Sequence, residues 1–156
     1  MTTAPELQDA HDLSSGDYLA DRIKKAYQKL GTDHFGEIES LYSPDVSFED
    51  PSHAVQGKVA LLEYFNSMFS NLDYCQFKFH QSITDGTDIF LSWTMLVRHP
   101  RLRSGDTIRV EGASYLKTRN GKIYYQRDYF DMGALVYEHV PLIGKIIARI
   151  KHRLGS

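Results

Sequence analysis

The chain has 156 residues, of which 42% are hydrophobic and 24% charged, and its formal net charge is −2 at pH 7. These proportions are typical of globular proteins rather than disordered or fibrous ones, and the length suits one domain with a substantial core. The acidic balance, without a stripe of basic and aromatic residues, argues against nucleic acid as a partner. The longest apolar runs are far shorter than the roughly 20 residues of a membrane-spanning helix.

The amino-terminal segment and the cysteine content indicate a compartment. Residues 1–15 are polar and lack periodicity, which predicts a flexible arm and not a secretory signal. Cys75 is the only cysteine, so neither an internal disulfide nor a cysteine-based zinc site can form. The histidines have no metal-ligand spacing. We therefore expect a cytoplasmic protein without a metal or another cofactor.

Hydrophobic periodicity predicts the order of the elements. Apolar residues at three- and four-residue intervals predict helices over 17–30, 33–42 and 57–71. Alternation predicts a short strand over 46–50, a loop over 51–56, and later strands over 77–83, 88–98, 107–117 and 122–130. Asp85-Gly86 and Asn120-Gly121 are hairpin signals. Helices followed by an antiparallel meander predict an α+β fold with a curved sheet.

The carboxyl-terminal segment is predicted to be a basic amphipathic helix. Its apolar residues share one helical face, namely Leu142, Ile143, Ile146, Ile147, Ile150 and Leu154. The last 16 residues contain four Lys or Arg and no acid, so this tail carries +4 and the rest of the chain −6. Three interpretations stay open: the helix packs on the body, contacts a second subunit, or attaches to anionic lipid through 141–154.

Two segments carry a recognisable pattern. One is Leu41-Tyr42-Ser43-Pro44-Asp45-Val46-Ser47-Phe48-Glu49-Asp50-Pro51 with Gly57 opening a helix, and the other is Asn120-Gly121-Lys122-Ile123 leading into Arg127-Asp128-Tyr129-Phe130-Asp131. They resemble the nuclear transport factor 2-like (NTF2-like) superfamily, in its SnoaL-like and ketosteroid isomerase-like branch. The resemblance covers about 17–131.

This resemblance implies a cone-shaped, curved antiparallel sheet wrapped around the helices. The mouth of such a cone admits a hydrophobic small molecule, and members often pair as homodimers through sheet faces. The expected organisation is a flexible arm over 1–15, an NTF2-like domain over 16–132 and the basic amphipathic helix over 133–156.

Four residues are candidates for chemistry in the pocket. Asp50 lies where ketosteroid isomerases hold their base, and Tyr27 precedes it by 23 positions, close to the separation of the oxyanion-binding tyrosine from that base. Asp128 lies in a run that resembles the one carrying a cavity-facing aspartate in limonene epoxide hydrolases. His53, on the loop after Asp50, is a candidate proton relay.

Neither known catalytic set is complete, however. The second oxyanion acid of the isomerases falls on Ala113, and Glu111 is a poor substitute for it. The arginine and second aspartate of the epoxide hydrolases are missing from the stretch Trp93-Thr94-Met95-Leu96-Val97.

Each candidate also has a purely structural interpretation. Asp50 caps the turn into the loop, Tyr27 belongs to the core, Asp128 pairs with Arg127, and His53 lies on the surface. Alternation favours a pocket position for Asp128, because it places Gln126, Asp128 and Phe130 on one face and Arg127 on the other.

We therefore expect a cofactor-independent, acid/base, enzyme-like protein that acts on a hydrophobic small molecule as an isomerase, cyclase or hydrolase. Asp50 and Asp128 are the candidate acid and base, and Tyr27 and His53 are polar helpers. The expected substrate contacts are Trp93, Phe48, Phe130, Gln126 and Met95. The alternative is a non-catalytic domain that binds a lipid or another small molecule, associated with a membrane.

Overall fold

The computed structural model describes residues 15–30, 35–140 and 142–155, so most of the predicted arm lies outside the described residues. In these ranges the helices are α1 (Ser15–Gln28), α2 (Phe35–Leu41), α3 (Lys58–Ser70), α4 (Met132–Leu135) and α5 (Ile143–Leu154). The strands are β1 (Tyr42–Glu49), β2 (Ala54–Gln56), β3 (Tyr74–Asp85), β4 (Asp88–Arg98), β5 (Ile108–Arg119) and β6 (Lys122–Phe130). The α+β class is confirmed.

All six strands belong to one curved sheet, in the order β2-β1-β6-β5-β4-β3. Strands β3 to β6 form the predicted antiparallel meander. In contrast, β1 pairs with β6 in parallel, so the sheet is not antiparallel throughout as expected. No short turn links these two strands, and their relative direction is therefore not fixed by a hairpin.

The core lies between the inner face of the sheet and the apolar sides of α1 and α3. The predicted helical spacing buries Leu19, Ile23 and Tyr27 on α1, and Leu61 and Phe65 on α3. On β4 every second residue is buried, as alternation requires: Ile89, Leu91, Trp93, Met95 and Val97.

Strand β1 begins four residues earlier than predicted, at Tyr42 rather than Val46. Tyr42 therefore does not end a helix but starts the strand, with its side chain buried in the core. Pro44 is accommodated because the β1–β6 pairing is irregular between Tyr42 and Ser47, and because β2 pairs only with residues 47–49. Part of the loop predicted over 51–56 is β2.

The β5–β6 hairpin contains an irregularity that sequence patterns do not reveal. Its turn is Asn120-Gly121, and both residues have positive φ, as a two-residue turn of this kind requires. Thr118 lies opposite Ile123, but Lys117 lies opposite Tyr125, so Tyr124 is an extra residue on β6. This bulge moves the register by one residue and places Ser114 opposite Asp128.

A carboxyl-terminal helix is present as predicted, but α5 covers only Ile143–Leu154 of the segment 133–156, and its apolar face is not packed on the described part of the body. Ile143, Ile146, Ile150 and Leu154 are exposed. Within the described ranges, every helix is too short or too polar to traverse a lipid bilayer.

Candidate functional site

A narrow pocket lies between α1 and the inner face of the sheet. It holds about 270 Å³, including the space at its mouth. Most of its wall is apolar or aromatic, from Ile23, Tyr27, Phe77, Phe79, Leu91, Trp93 and Leu116, and three polar residues complete it: Ser114, Gln126 and Asp128. Such a pocket suits a small, mainly hydrophobic molecule with a polar group at one position.

Two donors hold one oxygen of the Asp128 carboxyl group. Ser114 Oγ donates to Asp128 Oδ1 at 2.6 Å, and Gln126 Nε2 donates to the same oxygen at 2.9 Å. Trp93 Nε1 in turn donates to Ser114 Oγ at 2.9 Å. Because an indole N–H can only donate, it leaves the Ser114 proton for the carboxylate. The side chains of β4, β5 and β6 thus fix the orientation of Asp128.

Two buried tyrosines continue this network behind Gln126. Tyr42 donates to Gln126 Oε1 at 2.7 Å, and the hydroxyl oxygens of Tyr27 and Tyr42 lie 2.5 Å apart. Since Tyr42 gives its proton to Gln126, Tyr27 must donate to Tyr42. Burial is the main cause that raises the pKa of both phenols, so both stay protonated at physiological pH.

Asp128 itself is poised to change its protonation state. Protein surrounds it, although it keeps some accessible surface along the pocket, and this desolvation raises the pKa of its carboxyl to about 6. The charge of Asp50 also raises this pKa, while the Ser114 and Gln126 hydrogen bonds lower it. In the described part of the chain, no hydrogen bond reaches Oδ2. That oxygen is available for proton exchange with a ligand.

Asp50 is buried but is not among the residues that line this pocket. Its Oδ1 accepts hydrogen bonds from Ser52 N at 2.7 Å, Ser52 Oγ at 2.8 Å and His53 N at 2.8 Å. Its Oδ2 accepts a hydrogen bond from Tyr64. These contacts are those of a carboxylate that caps a turn.

The other predicted residues divide into two groups. Tyr27, Trp93 and Gln126 meet Asp128 in the pocket, and Phe130 packs on Trp93 with ring centroids 6.2 Å apart. Phe130 is not itself part of the pocket lining, and the remaining three residues also lie outside it. Exposed His53 lies with its ring 4.8 Å from that of Tyr64, Phe48 packs on Tyr64 and Phe65, and Met95 belongs to the core.

Sequence reasoning missed Ser114 and Tyr42. The resemblance aligned the second oxyanion acid of the isomerases with Ala113, but Ala113 pairs with Tyr129 and so shares the outer face of the sheet. Glu111 is likewise exposed and pairs with Arg109. Without the bulge, the Asn120-Gly121 turn would set Ser114 opposite Arg127. Alternation with the buried Ile108, Val110 and Leu116 would have placed Ser114 on the inner face of β5, whereas its position opposite Asp128 depends on the bulge at Tyr124.

The charge of Asp50 is expected to raise the pKa of Asp128 in addition to the larger effect of desolvation. Asp50→Asn is expected to move the pKa of Asp128 below about 6, because a negative charge that opposes ionisation is removed. The measurement is a carbon-13 NMR titration of the carboxyl groups. An exposed variant, Asp106→Asn, serves as control and should leave that titration unchanged. An unchanged Asp128 pKa in Asp50→Asn would contradict the coupling.

Comparison with known proteins shows which family and which solved structures this chain is similar to. A family model described as SnoaL-like domain matches residues 23–126, whereas no curated protein matches the chain. Three solved structures are similar. TerC co-crystallised with polyporic acid is 19% identical, with 75% of this chain and 94% of that chain covered and a TM-score of 0.65. An LEH-like epoxide hydrolase of M. tuberculosis is 17% identical, with 76% and 84% covered and a TM-score of 0.63.

The third similar structure is that of a candidate SnoaL-like polyketide cyclase from Jannaschia sp. CCS1. It is 11% identical, with 82% of this chain and 94% of that chain covered and a TM-score of 0.68. At such identities the likeness shows the fold, and the family model shows the relationship. The chain belongs to the SnoaL-like domain family of the NTF2-like superfamily.

Proposed function

We propose that this protein is a cofactor-independent acid/base enzyme that acts on a hydrophobic small molecule, with Asp128 as the group that exchanges the proton. The position of the Asp128 carboxyl group is the main support for this proposal. A desolvated carboxyl group lies on the wall of an apolar pocket, with Oδ1 held by Ser114 and Gln126 and Oδ2 without a hydrogen bond from the described residues.

The chemistry follows from this arrangement. A carboxyl group with a pKa of about 6 is partly ionised near neutral pH, as efficient general acid/base catalysis requires. Its ionised form can remove a proton from an activated carbon, as in isomerisation or cyclisation, or from a water molecule, as in hydrolysis. The two hydrogen bonds keep Oδ1 in place, so the proton arrives and leaves on Oδ2.

The other predicted residues receive supporting roles. Tyr27 gives its proton to Tyr42, so we assign it to the network that orients Gln126 and not to an oxyanion site. Trp93 both supports Ser114 and forms the aromatic wall against which a substrate packs. We assign Asp50 the role of raising the pKa of Asp128, with His53 held beside it on the loop.

The neighbours support a small-molecule function of this class. TerC was crystallised with polyporic acid, and the neighbours include an epoxide hydrolase and a candidate polyketide cyclase. Epoxide hydrolysis is the weaker option for this chain, because the central stretch 93–97 of β4 contains neither the arginine nor the aspartate that the sequence resemblance requires. Isomerisation or cyclisation by Asp128 needs neither residue.

The test begins with the molecule that the protein carries. Native mass spectrometry of the purified protein identifies a bound ligand, which is extracted and returned to the protein in deuterium oxide. We expect deuterium to enter one carbon position of the ligand or its product with the wild type and with Asp106→Asn. Asp128→Asn should not promote this exchange, and wild-type exchange rates in that variant would refute the assignment.

A second candidate function is a non-catalytic binding protein with the same pocket. It is favoured by one observation, namely that the Tyr27, Tyr42 and Ser114 protons are all committed within the network. No hydroxyl among these three is left to stabilise an oxyanion. This function predicts that the ligand is recovered unchanged without deuterium, and that Asp128→Asn binds it as tightly as the wild type.

A further inference from the structure

Helix α5 presents an apolar stripe to solvent. The stripe consists of Ile143, Ile146, Ile150 and Leu154, whose exposed fractions range from 51% to 83%. Four large aliphatic side chains in one exposed row are unusual on a water-soluble surface. The row lies on one face because these residues recur at three- and four-residue intervals.

Basic residues border this stripe on both sides. With about 100° between successive residues, the four apolar side chains and the half-buried Ile147 cover roughly 100° of the helix circumference. Arg149 and Arg153 lie along one edge, and Lys145 lies beyond them. Lys151 lies along the opposite edge. The apolar centre therefore has a cationic margin on the side of Lys145 and Arg149, whereas Lys151 on the other side is paired with Asp131 and Glu138.

Contacts on a different side hold α5 in this orientation. Gly144 packs so tightly on Glu138 that a Cβ atom would lie 2.1 Å from the Glu138 carbonyl oxygen. Lys151 Nζ pairs with Asp131 and, at 2.6 Å, with Glu138 Oε1. Asp131 directly follows β6, the strand that carries Asp128. The helix is thus fixed to the body with the apolar stripe directed away from it.

The positive charge of α5 favours a negatively charged partner. The last 16 residues carry four Lys or Arg and no acid, and within the described residues Lys145 and Arg149 form no ion pair. Stacking two copies of this helix along their stripes would bring like charges together. An anionic lipid surface instead offers a flat apolar layer below a negative headgroup layer, which matches both features.

We propose that α5 is an interfacial helix that binds anionic membrane surfaces. Its isoleucine stripe enters the acyl boundary, and Lys145 and Arg149 lie among the headgroups. The proposal is independent of the chemistry of Asp128, because it rests on a surface that does not line the pocket.

Vesicle co-sedimentation tests it, with phosphatidylcholine vesicles compared with vesicles that also contain phosphatidylserine. We expect the full chain to bind the anionic vesicles at least about tenfold more strongly, and less strongly as salt is added. Lys145→Gln/Arg149→Gln should weaken this binding about 30-fold. Ile146→Ser/Ile150→Ser should weaken it at least about tenfold, because apolar area no longer enters the membrane.

Matched controls change similar residues elsewhere on the surface. Lys58→Gln/Lys78→Gln and Val59→Ser/Ile83→Ser should bind like the wild type. Circular dichroism shows whether each variant is folded. Absence of wild-type binding to anionic vesicles would overturn the proposal, and so would full binding by Ile146→Ser/Ile150→Ser. Conversion of a dimer to a monomer by that variant, without vesicle binding by the wild type, would assign the stripe to a second copy.

Discussion

Asp128→Asn is expected to reduce turnover by about 10²- to 10⁴-fold, the range attributed to a positioned general acid or base. Asparagine keeps a carbonyl oxygen for Ser114 and Gln126 but cannot take up a proton at neutral pH. For the wild type, a rate that depends on ionised Asp128 should rise as the pH increases through about 6. The measurement is the initial rate across this pH range on the substrate identified by mass spectrometry.

The same substitution is expected to stabilise the protein at alkaline pH. Because the folded protein holds the Asp128 proton more tightly than the unfolded chain, the stability linked to it is complete below about pH 4. It is lost as the pH rises through about 6. Above that pH the wild type contains an ionised, desolvated carboxylate, which costs about 3 kcal/mol. Asp128→Asn avoids this cost.

Urea unfolding at pH 8 and at pH 4 measures the difference. We expect Asp128→Asn to be more stable than the wild type at pH 8, whereas at pH 4 the gain disappears. Asp106→Asn, on an exposed loop, is the control and should change neither value. Equal destabilisation at both pH values would contradict a raised pKa and show that Asp128 is a structural residue.

Gly112→Ala is expected to destabilise the protein by about 3 kcal/mol. Gly112 on β5 lies opposite Trp93 on β4, and the indole covers it so closely that a Cβ atom would lie 2.3 Å from Cη2. The backbone at Gly112 does not have positive φ, so the cost arises from collision with the ring. Displacing Trp93 would also break its hydrogen bond to Ser114 and loosen Asp128.

Thermal and urea unfolding measure this loss of stability, and a double-mutant cycle shows whether it arises from the contact with Trp93. In a Trp93→Phe background the ring is smaller, so the penalty of Gly112→Ala should fall by at least about 1 kcal/mol. Gly36→Ala is the matched control, because it lies in a helix with no atom within 4 Å of the added methyl group. That control should be neutral or slightly stabilising. An equal penalty in both backgrounds would contradict the collision.

Much of the fold can be predicted from the sequence, because short-range residue patterns determine which side of each helix or strand is buried and where the chain turns. The spacing of Leu19, Ile23 and Tyr27 determines the buried side of α1, and alternation on β4 determines that Trp93 faces inward. The turn Asn120-Gly121 fixes a hairpin through its positive φ angles. Asp128 and Gln126 follow from alternation on β6. Each of these features depends on residues a few positions apart.

The rest of the site depends on contacts between distant parts of the chain. The bulge at Tyr124 brings Ser114, and not Ala113, opposite Asp128. Parallel pairing of β1 with β6 brings Tyr42 to Gln126, 84 positions away. No short-range sequence pattern determines that Ser114 meets Asp128 or that Tyr42 meets Gln126.

The sequence by itself therefore determined most of the helices and strands, the family resemblance and the presence of Tyr27, Trp93, Gln126 and Asp128 on inward faces. Tertiary structure decided which polar groups meet. In the folded protein Asp50 accepts hydrogen bonds from Ser52, His53 and Tyr64 and does not line the pocket. It also left the apolar stripe of α5 exposed. Periodicity reports the face of an element, whereas register and docking depend on long-range packing, which periodicity does not encode.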